Sequence, residues 1–263
     1  MTNGLFVFHR DFRIVDNNGL IQMSKKCDKL YTCFIFTTEQ VTRNSYKSTN
    51  AIQFMIESLV DLEKEITKAG GKLIVCHGST TSCLSNLIND LNIEIIGFNE
   101  DYTPYAKERI VKIEKMCKKE VVDCEMFHDY YINDPGTILS GSNKAYQKFT
   151  PYYEKSIIEG DFKRPSRVDV NNLAKTTKTL EKTMTLEKAM NKYVENQNEQ
   201  LIVHGGRKLG LIQLRNAVIS AKDYKDDRDD MSKETTILSA YIKFGCVSIR
   251  EVTTKFNIKY GKH

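Results

Sequence analysis

The sequence predicts an α/β fold: an open, doubly wound sheet of five parallel strands, followed by a helical C-terminal region. Three observations carry this. Five short apolar runs fall within the first 125 residues, stretches of helical periodicity separate them, and Gly70-Gly71 stops one helix just before its strand. Short unbroken apolar runs are what strands buried on both faces look like. Strands joined by helical crossovers build a parallel sheet with helices on both sides.

In order, the runs lie at 5–9, 30–36, 72–76, 94–98 and 120–124. Between them, Ile52, Met55, Ile56, Leu59, Leu62 and Ile66 recur at helical spacing over 52–68. Segments 79–91 and 103–117 read the same way, and Pro104 suits a first helical turn. From 159 to about 200 the chain turns polar, rich in Lys, Thr, Asn and Glu. That composition predicts a connector with one amphipathic helix and some disorder. Gly205-Gly206-Arg207 then opens a helical region. The expected organisation is 1–130 as the α/β domain, 131–200 as connector and 201–263 as the start of an all-α domain.

Composition narrows the function classes. The 263 residues are 40% hydrophobic and 28% charged, as in a globular protein. A net charge of +5 is too mild and diffuse to argue for nucleic acid by itself. Seven cysteines without a Cys-x-x-Cys spacing predict neither a disulfide framework nor a zinc site, and suit a reducing compartment. No apolar run reaches membrane-spanning length and the N-terminus carries no signal peptide. The expectation is a soluble intracellular protein with no membrane partner and no metal.

Sites in open α/β sheets sit at the carboxyl ends of the strands. The first such end, 9–17, lacks a Gly-x-Gly-x-x-Gly. Its Arg10, Asp11, Arg13 and Asp16 suit an ion-pair cluster anchoring the loop, with Asp16 or Asn17 capping the next helix. Aromatic residues at 146–153 suit packing between helices. The stretch 224–250 holds the most chemistry: Thr235, Thr236 and Ser239 are small hydroxyl residues where a helix begins. Hydroxyls and free amides at such an end suit an anion, commonly a phosphate.

The whole stretch, Tyr224, then Arg228-Asp229, then Thr235-Thr236-Ile237-Leu238-Ser239-Ala-Tyr-Ile-Lys-Phe-Gly-Cys-Val-Ser-Ile-Arg250, resembles the opening of the flavin-binding domain of the photolyase/cryptochrome family. Segment 8–17 is similar to that family's entry motif, with His9 at its Phe position and Phe8 at its Trp position. Residues 142–153 resemble the segment closing its first domain. The resemblance implies a Rossmann-like N-terminal domain and assigns the FAD diphosphate to Tyr224, Thr235, Thr236, Leu238 (through its backbone N–H) and Ser239. Ile237 stands where many members carry Arg, and Ala240 where Pro is usual. Loop 98–109 matches the border of the antenna site. A folate or deazaflavin antenna is implied there, although folate users carry Asn-Glu where this chain has Tyr105-Ala106.

By this resemblance the activity is light-dependent repair of ultraviolet pyrimidine dimers in DNA by electron transfer from reduced FAD, with UV-damaged DNA as partner. A cryptochrome-like photosensory role and a non-catalytic remnant are the alternatives. Family members continue well beyond the Ser-x-Arg helix, and this sequence contains no Trp. The expectation is a C-terminally truncated photolyase, inactive alone or acting as one half with a second polypeptide, and without catalytic residues of its own. A remnant would leave Leu238, Tyr241, Ile242, Phe244 and Val247 exposed.

Overall fold

Five parallel strands form the centre of the computed structural model, which describes residues 1–160 and 162–261. They are β1 (Asn3–Phe8), β2 (Lys29–Phe36), β3 (Leu73–His77), β4 (Ile95–Asn99) and β5 (Asp123–Phe127), in the order β3-β2-β1-β4-β5. The chain starts at the middle, winds to one edge, then crosses to the other. The order therefore reverses between β1 and β4, and in such sheets the carboxyl ends at the reversal are where sites form.

The helices are α1 (Asn18–Lys26), α2 (Thr38–Val41), α3 (Thr49–Lys68), α4 (Thr80–Leu91), α5 (Pro104–Glu120), α6 (Phe149–Glu159), α7 (Leu186–Tyr193), α8 (Arg207–Ser220), α9 (Tyr224–Asp227), α10 (Ser239–Lys243) and α11 (Ile249–Tyr260). Alternation along the strands sends Phe6, Phe8, Phe34 and Phe36 to one face, against Leu20 and Met23 of α1 and Ile56 and Leu59 of α3. Leu5, Val7, Cys33 and Ile35 go to the other, against Leu84 and Leu87 of α4 and Ile113 of α5. The sheet is doubly wound, as the sequence implies. Among the described residues no helix is long and apolar enough to cross a membrane.

Three details differ from the sequence reading. The fifth strand begins at Asp123, because α5 runs on through Glu120 and Val121 caps it in the left-handed region (φ 58°). The polar stretch after α6 is fastened to the sheet by its backbone. Leu30 donates its N–H to the Asn172 carbonyl (2.9 Å), Ala174 donates to Leu30 (2.9 Å), and Met184 donates to Val75 (2.9 Å). Val170, Leu173, Leu186 and Ala189 join the core. The third difference concerns the tail: Leu238, Tyr241 and Val247 are buried, and Ile242 and Phe244 partly so. Phe54 of α3 meets the Tyr241 and Phe244 rings at 5.3 Å each, and Phe12 stacks on Phe244 at 6.0 Å. The sheet domain itself supplies their cover.

Candidate functional site

The loop after β1 and the start of α11 close on each other through a buried ion network. Arg13 bonds Asp129 at 2.5 Å, and Arg250 bonds the other Asp129 oxygen at 2.7 Å and both Asp16 oxygens at 3.0 and 3.1 Å. Ser248 donates its hydroxyl to Asp16 (2.5 Å). The predicted cluster forms around Asp11, Arg13 and Asp16, and Asn17 caps α1 by accepting from the Leu20 amide. Arg10 leaves the cluster for a two-pronged pair with Asp101, 3.0 Å on each arm. Burial alone would raise the Asp129 carboxyl, but the Arg13 and Arg250 guanidiniums hold it below its ordinary value.

Asp11 is the surplus anion. Burial pushes its carboxyl up to about 6, against hydrogen bonds from the His9 amide and Asn99, with Asp129 adding to the rise. Two guanidiniums face three carboxylates here, so below about pH 6 a proton on Asp11 balances the charge. Asn99, at the end of β4, ties the loop down by donating to Asp11 (2.6 Å) and Asn17 (2.8 Å).

Gly245 lets the two segments touch. Its φ is 63°, and a Cβ there would lie 2.5 Å from the Arg10 carbonyl oxygen and 2.6 Å from the Asp11 Cα. Phe12 donates its amide to the Phe244 carbonyl (3.0 Å), and Arg13 donates to that of Gly245 (3.1 Å). Arg207, which sequence reading passed over, is buried, bonds the Cys246 carbonyl (3.0 Å) and clasps Glu251 at 2.8 and 3.0 Å. Glu251 also completes a capping box with Ser248. The spacing Ser248-x-x-Glu251 was the available signal for that box.

This frame holds the turn ahead of α10. Thr235 and Ser239 are exposed, Thr236 half-buried, and Leu238 buried. Among the described residues the three hydroxyls make no hydrogen bond, and no backbone carbonyl takes the amides of Leu238 or Ser239. Five unclaimed donors on one short turn fit an anionic diphosphate, which supplies acceptors only. Ile237 holds φ 49°, a conformation that β-branched residues rarely adopt. Gln213 of α8 braces the turn by donating to the Thr236 carbonyl (2.9 Å). Ser239 also lines a cavity of about 730 Å³ walled by Tyr130, Tyr152, Ile157, Ile242 and Asn257. Tyr224, Thr235 and Thr236 are not among its lining residues. Tyr224 sits exposed on α9.

The strand ends behind loop 98–109 are nearly filled. Tyr105 bridges to Thr37 (2.7 Å between hydroxyls), and Arg109 lies 5.5 Å above the Tyr105 ring. Voids of about 10 and 110 Å³ remain. His9 faces the smaller one with both ring nitrogens buried and unpartnered among the described residues, and burial together with Arg109 holds its pKa well below the ordinary value. Of the aromatic residues at 146–153, Tyr152 is half-buried and lines the cavity between α6 and α11, whereas Phe149 is exposed and stacks on Tyr153 at 5.6 Å.

Residues 5–168 match the family model of DNA photolyase. An archaeal photolyase from Sulfolobus tokodaii, solved with two FAD molecules, superposes on 98% of this chain and 56% of its own, with TM-score 0.82 and 28% identity. A (6-4) DNA photolyase of Arabidopsis thaliana is 24% identical over 95% of this chain and 48% of its own length. Cryptochrome-1 of Anopheles gambiae is 30% identical over 46% of this chain and 24% of its own. The chain spans about half the length, or less, of these relatives.

Proposed function

The chain belongs to the DNA photolyase family, and we propose that it supplies the N-terminal domain and the diphosphate grip of a flavin-dependent photolyase acting on UV-damaged DNA. The observation that carries this is the turn at 235–239, whose five donors are unclaimed. When bound, reduced FAD supplies the photoexcited electron that splits a pyrimidine dimer. The protein's part here is binding and orientation. Thr235, Thr236 and Ser239 would donate through their hydroxyls and Leu238 and Ser239 through their amides, and the family resemblance, not a contact in the structure, adds Tyr224 to the same group. The Arg13–Asp129–Arg250 clamp and Gly245 fix where the turn stands relative to the sheet. None of these residues moves an electron or a proton, so the chain acts together with the remainder of the family fold, carried in the same chain or by a second polypeptide.

No antenna is assigned to the strand ends. Voids of about 10 and 110 Å³ fall far below the roughly 300 Å³ that ligand pockets start from, and the donors a folate would use are replaced by Tyr105 and Ala106. A cryptochrome-like photosensory role would use the same turn. The match to the mosquito cryptochrome supports that second reading, and dimer repair under light separates the two.

The test is FAD affinity, read by flavin fluorescence in the presence of the remaining part of the fold. Ser239→Ala and Tyr224→Phe should each weaken it by about tenfold, the worth of one hydrogen bond to a charged group. Unchanged affinity in both variants would remove the assignment.

A further inference from the structure

Two cysteine pairs share one spacing and one arrangement. Cys76 on β3 faces Cys83 in the first turn of α4, and Cys117 in the last turn of α5 faces Cys124 on β5. Each pair has the spacing Cys-x6-Cys, and each belongs to one of the two edge strands of the sheet. Within each pair the two thiols hydrogen-bond to one another. All four side chains pack on the face of the sheet that α4 and α5 cover.

The pairs differ in access. Cys76 and Cys83 are buried, and the stretch after α6 crosses them: Thr183 bridges to Cys76, and His77 donates its amide to the Lys182 carbonyl (3.0 Å). Cys117 is buried, but Cys124 is only half-buried. Among the described residues no backbone from that stretch pairs with β5. The turn between Cys117 and Cys124 is already fixed. Val122 donates its amide to the Cys117 carbonyl (3.0 Å), and Val121 holds the left-handed conformation. Sulfurs that already face one another across a fixed turn need little backbone movement to join.

We propose that Cys117 and Cys124 form an oxidation site, converted by hydrogen peroxide into an intramolecular disulfide that ties β5 to α5. The Cys124 sulfur attacks one peroxide oxygen and the O–O bond breaks. The departing oxygen leaves as water with the thiol proton, and Cys124 becomes a sulfenic acid. The Cys117 sulfur then attacks that sulfur, the S–O bond breaks, and a second water carries off the Cys117 proton. Two thiols lose two electrons and one peroxide becomes two waters. The first step is slow, because the hydrogen bond to Cys117 and burial keep the Cys124 thiol protonated, with Glu114 and Glu125 adding to this. The site therefore answers sustained oxidant. β5 leads into Asp129, the carboxylate on which Arg13 and Arg250 meet, so the tie steadies the strand that presents it.

The test treats the reduced chain with hydrogen peroxide, quenches it, and maps the peptides by mass spectrometry without reductant. A Cys117–Cys124 link about 2 Da lighter than the two thiols is expected, with Cys76 and Cys83 still reduced. The thermal midpoint should rise by about 5 °C, as closing a short loop does, and fall back on adding a thiol reductant. Cys124→Ser, at a half-buried position, should keep the reduced midpoint and lose both the link and the rise. The mapping of the unmodified chain stands whether or not that variant folds. A link formed first between Cys76 and Cys83, a disulfide between two copies of the chain, or Cys124 oxidised past the sulfenic acid with no link would each overturn the proposal.

Discussion

Replacing Asp11 by Asn should change both the stability of the fold and its pH dependence. The carboxyl is wholly buried, and burial lifts its pKa from the ordinary 3.8 to about 6. A group whose folded pKa is raised binds its proton more tightly in the folded state. The stability it contributes is fully present below pH 3.8 and disappears as pH rises through 6. For these two values the loss between pH 5 and pH 8 is about 1.4 kcal/mol, within about 3 kcal/mol for the whole shift. The amide cannot titrate, so Asp11→Asn removes that slope. It has a constant cost as well. The carboxylate accepts from the His9 amide (2.8 Å), Asn99 (2.6 Å) and Asn17 (3.3 Å), and an amide must turn its NH2 toward one of these donors. That mismatch costs about 1–3 kcal/mol at every pH. Urea unfolding of both proteins at pH 5, 6.5 and 8 measures the difference. The variant should be most destabilised at pH 5, with the gap narrowing by about 1.4 kcal/mol by pH 8. A gap constant to within about 0.4 kcal/mol would refute the charge surplus assigned to Asp11.

Three further outcomes follow from the same frame. Arg250→Met removes the partner of Asp16 and one of the two guanidiniums on Asp129, and should lower stability by about 3–5 kcal/mol in denaturant unfolding. A loss under about 1 kcal/mol would mean the clamp holds nothing. Gly245→Ala places a methyl against the Arg10 carbonyl at a left-handed φ and should cost at least about 2 kcal/mol. Wild-type stability in that variant would contradict the close approach of the two loops. A chain ending at Gly160 loses Val170, Leu173, Leu186 and Ala189 from the core and the backbone partners of Leu30. It should bind a hydrophobic dye and melt without a sharp transition, and cooperative melting at an unchanged midpoint would show that the strap is dispensable.

What the sequence made legible follows burial. β1 to β4 are covered on both faces, so each reads as an unbroken apolar run. β5 is an edge strand with Asp123 and Met126 exposed, and its pattern loses to the neighbouring Val121-Val122, which serve as a helix end. The strap after α6 was illegible because most of its anchors are main-chain amides and carbonyls, and its side-chain anchors, Asn172 bonded to Ser24 and Cys27 and the buried Leu173, are single residues in a polar stretch with no periodicity. The clamp was half legible. Asp11, Arg13 and Asp16 announce an ion cluster within one loop, but nothing local says that the answering groups are Asp129 and Arg250.

That long-range pairing matters most for the turn at 235–239. Ser239, Phe244, Gly245, Ser248 and Arg250 lie on one short stretch of chain, and all but Ser239 are fastened to the β1 loop or to Asp129. The turn can stay free of internal hydrogen bonds, with its donors open to a ligand, because its position is set from the residues just beyond it. Its local sequence needs to supply only the hydroxyls. The switch point of the sheet, which carries no Gly-rich phosphate motif of its own, instead fixes where the turn at 235–239 stands.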